Sequence, residues 1–217
     1  MTGKFMITLR YLREIGACSE GRLAFEKSFP NGGEYQDVLD KCAEEGRMDF
    51  AGWLLHKVGP TDDVRTYEDQ INDKNMSICF AGTLIFKKGA IVKSIKAGLG
   101  IEAGEGIEAG CGIEAGWGIK AGCGIKAGEG IEAGEGIKAG WGIKAGWGIK
   151  AGEGIEAGEG YGIFAGLKIK LPNWPLYARV SASCKPTNLI SGYWVESENR
   201  NEANGTAKNG TCQSKNV

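Results

Sequence analysis

The sequence has few of the residues from which enzyme sites are commonly built. It holds one histidine, His56, and its seven cysteines form no Cys-x-x-Cys pair. A lone histidine without a recognisable nucleophile beside it gives no acid–base pair, and scattered cysteines give no zinc-type ligand set. We therefore expect no catalytic residue, no metal site and no cofactor, and we predict that the protein is not an enzyme.

The sequence also lacks the features of exported or membrane-bound chains. No apolar run reaches the roughly 20 residues that a membrane span needs, and the N-terminus MTGKFMITLRYLREIG has no signal-peptide pattern. Lys and Arg number 26 against 27 Asp and Glu, so a net charge of −1 gives no reason to expect attraction to nucleic acid or to a membrane. These features predict a cytoplasmic protein, in which an odd number of cysteines favours free thiols.

Glycine, by contrast, is abundant, with 37 residues concentrated in the repeat Gly-Ile-charge-Ala-Gly-variable. Isoleucine recurs at every sixth position from Ile95 to Ile155, and the glycines alternate at spacings of two and four. The glycine spacing excludes collagen, which needs glycine at every third position. A fixed short period predicts a solenoid, whose units bury their apolar faces by stacking on one another. Within each unit Ile and Ala should point inward and the charged residue outward, and the Gly-X-Gly corner should use positive φ angles.

Two coil sizes are compatible with this period. A two-sided coil of twelve residues stacks charges of alternating sign in one column, formed by Lys96, Glu108, Lys120, Glu132, Lys144 and Glu156. A left-handed β-helix of three hexapeptides per coil, as in hexapeptide acyltransferases, needs a small inward residue four positions after each Ile. This chain has Leu, Cys, Glu or Trp at that position, and Glu and Trp cannot fill it. Twelve-residue stacking gives six opposite and three like charged pairs, and eighteen-residue stacking gives five and three. We favour the twelve-residue coil.

The whole chain is predicted as an α+β protein with a small helical domain ahead of a Gly-rich parallel β-solenoid. Apolar residues at helical spacing, with Gly and Pro between them, predict four short helices between Met1 and Pro60. The predicted divisions are a helical module (1–60), a linker (61–76), the solenoid of GI[EK]AGx repeats (77–172), C-terminal capping strands (173–196) and a disordered polar tail (197–217).

The variable corner of the repeat supplies the candidate binding residues, since it alone changes freely. They are three tryptophans and three carboxylates: Trp117, Trp141, Trp147, Glu105, Glu129 and Glu153. Exposed tryptophans flanked by charges suit protein binding, and the alternative is that the rings cover neighbouring Gly-rich coils. On a twelve-residue coil Trp117 and Trp141 share one edge with the three glutamates, and Cys111 stacks on Cys123, a pair with too few ligands for a metal.

The segment ITLRYLREIGACSEGRLAFEKSFPNGGEYQDVLDKCAEEGRMDFAGWLL, from Ile7 to Leu55, resembles a small helical module of phage and mobile-element proteins, where it precedes diverse repeats. The resemblance implies a phage or prophage setting, in the cytoplasm of a bacterial host cell. We expect a non-enzymatic solenoid that binds a host protein or protein complex and inhibits a bacterial defence system such as CRISPR, as an anti-CRISPR does. The alternatives are a self-assembling structural protein, with a homodimer left open, and a hexapeptide-repeat acyltransferase.

Overall fold

Four short helices form the N-terminal module, and local capping signals set their ends. In the computed structural model, which describes residues 5–196, the helices are α1 (Leu9–Glu14), α2 (Ser19–Ser28), α3 (Tyr35–Glu44) and α4 (Met48–Val58). The hydroxyl of Thr8 accepts a hydrogen bond from the Tyr11 amide at 3.1 Å, which caps α1. Two short antiparallel strands, β1 (Met6–Ile7) and β2 (Gly33–Glu34), complete the module. The predicted helical N-terminus is confirmed.

Parallel strands follow the module and stack into a solenoid of about seven turns with three faces. The strands of face A are β3 (Val64–Tyr67), β5 (Thr83–Phe86), β7 (Ile101–Ala103), β10 (Ile119–Ala121), β13 (Ile137–Ala139) and β16 (Ile155–Glu156). The strands of face B include β8 (Ile107–Ala109), β11 (Ile125–Ala127), β14 (Ile143–Ala145), β17 (Ile163–Phe164) and β19 (Leu189–Ser191). The strands of face C include β9 (Ile113–Ala115), β12 (Ile131–Ala133), β15 (Ile149–Ala151), β18 (Arg179–Ala182) and β20 (Tyr193–Glu196).

Two long strands join faces B and C at the N-terminal end of the solenoid. They are β4 (Ile71–Phe80) and β6 (Ala90–Ala97). The first half of β6 pairs with β8 on face B and its second half with β9 on face C. The fold is therefore a helical module followed by a parallel β-solenoid, as predicted.

Each coil is closed by three hexapeptides, so the favoured twelve-residue coil is wrong. Ile119 pairs with Ile101 on one side and with Ile137 on the other, and the same eighteen-residue spacing recurs on faces B and C. The predicted column of alternating charge is consequently divided among the three faces, with Lys96 on face C, Glu108 on face B and Lys120 on face A.

The direction of each side chain explains why three units close a coil. In the units from Ile101 to Ala151, Ile and the Ala two residues later are buried, and the residue between them points outward. The small inward residue is thus two positions after Ile, not four, and the variable residue lies at a corner, where Trp and Glu meet no limit on size. Each fully buried Ile stabilises the stack by about 1.5–3 kcal/mol relative to an exposed one.

The first glycine of each corner is required by close backbone contact, whereas the sequence predicted positive φ angles for the corner glycines. None of the glycines between Gly98 and Gly158 has a positive φ. The glycine directly after Ala lies against the carbonyl oxygen of the equivalent glycine one coil earlier: a Cβ built on Gly134 would lie 1.9 Å from the oxygen of Gly116. A side chain at this position would therefore collide with the backbone of the preceding coil.

The helical module covers the N-terminal end of the solenoid. The side-chain amide of Gln36 on α3 donates to the carbonyl of Cys79 and accepts from the amide of Ala81, both at 2.9 Å. Asp40 accepts two hydrogen bonds from Arg65 on β3, at 2.8 and 2.7 Å. The contacts of Gln36 satisfy backbone groups of β4 and the residue after it, which a free sheet edge would leave unpaired.

The solenoid is longer than the sequence predicted at both ends. Residues 61–76, predicted as a linker, contain β3, which pairs in register with β5, and the first half of β4, in which residues 71–73 pair with β6 ahead of a register shift. Within 173–196, predicted as capping strands, β18 and β20 continue face C and β19 continues face B. The predicted polar tail, 197–217, lies outside the described residues. None of the helices described for residues 5–196 has the length and apolar content of a membrane span.

Replacing Gly134 with Ala should destabilise the fold, by about 1–3 kcal/mol or more, because its Cβ would overlap the Gly116 oxygen. Gly136→Ala is the matched control, since its Cβ would lie 3.6 Å from the nearest atom, the Gly154 oxygen. It should be neutral or slightly stabilising because alanine restricts the unfolded chain. Denaturant unfolding followed by circular dichroism measures both, and equal losses would contradict the contact between these coils.

Candidate protein-binding surface

The variable residues of the repeat form three columns, one at each corner of the solenoid. Backbone hydrogen bonds link each variable residue to its equivalent one coil earlier, as from the Trp117 amide to the Leu99 carbonyl at 3.1 Å. Corner 1, which leads into face A, carries Leu99, Trp117, Glu135 and Glu153. Corner 2, which leads into face B, carries Glu105, Cys123 and Trp141. Corner 3, which leads into face C, carries Cys111, Glu129 and Trp147.

The three candidate tryptophans are all exposed, but each lies at a different corner. Trp117 is 54% exposed and lies between Leu99 and Glu135 in its column. The ring of Trp141 stacks on that of Tyr161, with centroids 6.1 Å apart. Trp147 lines a hollow with Leu176 and Tyr177. The structure therefore does not bring the three rings together, because each column takes its members from every third hexapeptide and not from every second one.

The candidate carboxylates are separated in the same way. Glu105, Glu129 and Glu153 are exposed, one at each corner. Of the six predicted binding residues, Trp117 and Glu153 share corner 1, Glu105 and Trp141 share corner 2, and Glu129 and Trp147 share corner 3. Each corner thus combines one tryptophan and one of these carboxylates, two coils apart at corners 1 and 2 and one coil apart at corner 3.

The centres of the three faces carry ladders of charged side chains. Five stacked pairs are of opposite charge and three of like charge, as the sequence predicts for eighteen-residue stacking. Lys126 contacts Glu108 at 2.8 Å, Lys138 contacts Glu156 at 2.9 Å, and equivalent ion pairs join Lys96 to Glu114 and Lys150 to Glu132. Because most of these side chains are well exposed, each pair stabilises the fold by only about 0–1 kcal/mol. Their larger effect is to fix a pattern of charge on the surface.

A shallow groove runs along face A beside corner 1. It has a volume of about 520 Å³ and is bordered by Trp117, Glu135, Glu153, Lys120, Lys138 and Glu156. Its floor is the backbone of β7, β10 and β13, which parallel pairing joins in one sheet. No residue of the helical module lines this groove. The groove therefore combines one exposed aromatic ring with charges of both signs on a fixed backbone.

The residues with reactive side chains form no recognisable catalytic or metal arrangement. Residues 5–196 contain no cluster of three or more metal-ligating side chains. His56 is exposed on α4, and Cys111 and Cys123, stacked neighbours on a twelve-residue coil, lie at corners 3 and 2. The Ser183 hydroxyl donates to the Gly152 carbonyl at 2.8 Å, a structural contact.

The cysteines differ in environment. Cys18, Cys42, Cys79, Cys111 and Cys123 are free thiols, whereas Cys184 is disulfide-bonded, which corrects the expectation of free thiols throughout. Burial raises the pKa of the Cys79 thiol to about 12 and that of Cys42 to about 11. Cys79 lies in the core between the helical module and β4, so its thiol belongs to the contact that joins the two parts.

The apolar side chains exposed in the last coils were not predicted from the sequence. In the described part of the chain, nine of fourteen exposed large hydrophobic side chains lie late in the solenoid: Trp141, Trp147, Tyr161, Leu167, Leu171, Leu176, Tyr177, Ile190 and Tyr193. The segment LPNWPLYARV interrupts the repeat, and apolar residues there signalled closing strands. The signal of an exposed patch in this segment was its high density of Leu, Trp and Tyr at positions that do not follow the six-residue Ile repeat.

Comparison with known proteins gives a match for the helical module. Residues 1–59 match the family model of the YdhT N-terminal domain. The match ends at Gly59, directly after α4, and so excludes every strand of the solenoid. No curated protein and no solved structure matches the chain.

At pH 8 iodoacetamide should label the exposed Cys18 at least about a hundredfold faster than Cys79 or Cys42, since only the thiolate reacts and burial raises the pKa of these two thiols to about 12 and about 11. Mass spectrometry of the modified peptides measures the rates in the native protein, and in urea as the unfolded control. Equal labelling rates for the three thiols in the native protein would show that the module does not enclose Cys42 and Cys79.

Because burial raises the pKa of both thiols, they contribute stability to the fold below about pH 9, and this contribution is lost as the pH rises through 11 to 12.

Proposed function

We propose that this protein is a non-enzymatic binding protein that presents face A of its solenoid and the adjacent corner 1 to a partner protein. The observation that carries the proposal is the exposure of Trp117 beside a groove with charged borders on a rigid backbone. Large aromatic rings dominate the energetics of protein interfaces when a partner encloses them. The surrounding Lys and Glu side chains would give the contact its specificity and orientation.

The composition of the groove supports a protein as the ligand. Lys120 and Lys138 stack as like charges at the centre of face A, and Glu135 and Glu153 form the acidic side of corner 1. A nucleic acid would be repelled by these carboxylates and would find no basic stripe. A protein surface can match both signs along the same line, with an apolar pocket for Trp117.

The concrete version of the proposal is an inhibitor of a bacterial defence system such as CRISPR, acting on a host protein or complex in the bacterial cytoplasm. Its support is the resemblance of residues 7–55 to modules of phage and mobile-element proteins. A rigid rod with fixed spacing of charges is suited to blocking a surface of a larger complex, since little entropy is lost when it binds.

Trp117→Ser should weaken partner binding at least about tenfold, because a buried aromatic anchor contributes about 2 kcal/mol or more. The immobilised protein captures the partner from a bacterial lysate, mass spectrometry identifies it, and calorimetry on the purified partner gives the dissociation constant. Trp141→Ser is the matched control, since Trp141 is equally exposed but lies at corner 2. Equal losses for the two variants, or the absence of any captured protein, would contradict the assignment of face A.

In cells whose CRISPR system targets a phage, expression of this chain should restore plaque formation, and Trp117→Ser should abolish the restoration. Phage plated on cells without the CRISPR system control for toxicity. If expression of this chain does not restore plaque formation but the chain still captures its partner, the defence-inhibitor version is wrong and the general binding function stands.

A further inference from the structure

The C-terminal end of corner 3 carries a group of exposed apolar side chains that the binding function of face A does not use. We call it the C-terminal apolar patch; its members, between 46% and 69% exposed, are Trp147, Leu167, Leu176, Tyr177 and Tyr193. Backbone contacts hold these residues together. The Gly166 amide donates to the Trp147 carbonyl at 2.7 Å, and the Tyr193 amide donates to the Ala178 carbonyl at 2.9 Å.

The patch adjoins an unpaired strand edge. β20 pairs with β18 on one side, and within residues 5–196 no strand pairs with its other side. Trp194 on β20 takes the inward position that Ile holds in regular coils and packs half-buried against the last core residues. An open edge beside apolar side chains is a site of strand addition unless something covers it.

We propose that the C-terminal apolar patch and the outer edge of β20 form the contact by which two copies of this chain make a closed, two-fold dimer. The contact is independent of the binding function of face A, which lies beside corner 1. In a two-fold arrangement the two β20 edges run antiparallel, a pairing that satisfies the free backbone groups of both copies.

The other end of the solenoid argues against head-to-tail stacking. The helical module covers the second half of β4, and the first half presents polar side chains, Asn72, Asp73, Lys74 and Asn75, all exposed. An apolar patch set against these charged and amide groups would leave them desolvated and unpaired. The C-terminal ends complement each other better, so the assembly closes at two copies and does not grow.

The rest of the chain is a poor cover for the patch. The segment that follows Glu196 contains only Ala203, Ala207, Cys212 and Val217 as apolar residues, and none is large and aromatic. This composition offers little apolar surface to set against five large apolar side chains. A second copy brings an identical patch, and like apolar surfaces bury one another without leaving charges unpaired.

Sedimentation velocity of the full chain over a concentration series tests this dimer. We expect one dimeric species, and Leu176→Glu with Tyr177→Glu should raise its dissociation constant at least tenfold, because each copy would then bring two charges into the contact. Leu23→Glu is the matched control, since Leu23 is 67% exposed on α2 of the helical module, and it should leave the dimer unchanged.

A second protein, ending at Glu196, distinguishes the occupants of the patch when it and the full chain are both kept reduced, so that no thiol can cross-link two copies. The proposal expects this shortened chain to dimerise as tightly as the full chain. Monomers of the full chain with dimers of the shortened one would show that the C-terminal segment covers the patch. The proposal would be overturned by that result, by monomers of both the full and the shortened chain, by growth beyond dimers, or by a dimer that the double substitution leaves unaffected.

Discussion

The contact between the glycine that follows Ala and the carbonyl oxygen one coil earlier is the constraint on which the solenoid depends. The oxygen of Gly116 would lie 1.9 Å from a Cβ on Gly134, and Gly122, Gly140 and Gly152 repeat the same contact. Without side chains there, adjacent coils approach closely enough for the backbone ladder to form at the corners as well as along the strands. The ladder in turn fixes the direction of Ile, the charged residue and the variable residue. Glycine at these positions loses conformational freedom on folding, and the buried Ile and Ala offset that loss.

Most of the architecture could be predicted from the sequence, because it depends on local pattern. The helical module, the parallel solenoid and the inward positions of Ile and Ala follow from helical spacing and from a period of six. The number of units per coil did not follow, since it depends on which coil each side chain contacts. A spacing of twelve gave six opposite and three like charged pairs and a spacing of eighteen gave five and three, so charge pairing favoured the wrong coil by one pair. The glycine after Ala held the missing information, but only the geometry of the stack shows that its hydrogen faces a carbonyl oxygen.

The candidate surface was harder to predict for the same reason. The sequence identified Trp117, Trp141 and Trp147 as exposed, and all three are. It could not group them, because the column to which a residue belongs changes with the size of the coil. The two ends of the solenoid could not be predicted from the repeat pattern either. Arg65 and Cys79 occupy the first coil through contacts with the helical module, in segments that carry no repeat, and the apolar patch near Tyr177 lies in an insertion between strands.

The stacking of every third hexapeptide is the central claim, and a cross-link measures it most directly. Glu105 and Cys123 are adjacent in the column of corner 2, and the Cys123 amide donates to the Glu105 carbonyl at 3.1 Å. Neighbouring stacked strands lie within the distance that a disulfide spans. Mild oxidation of the Glu105→Cys variant, followed by peptide mapping, should therefore give a link between positions 105 and 123. A link between Cys111 and Cys123 in its place would contradict the three-faced coil and, with it, the surfaces inferred from it.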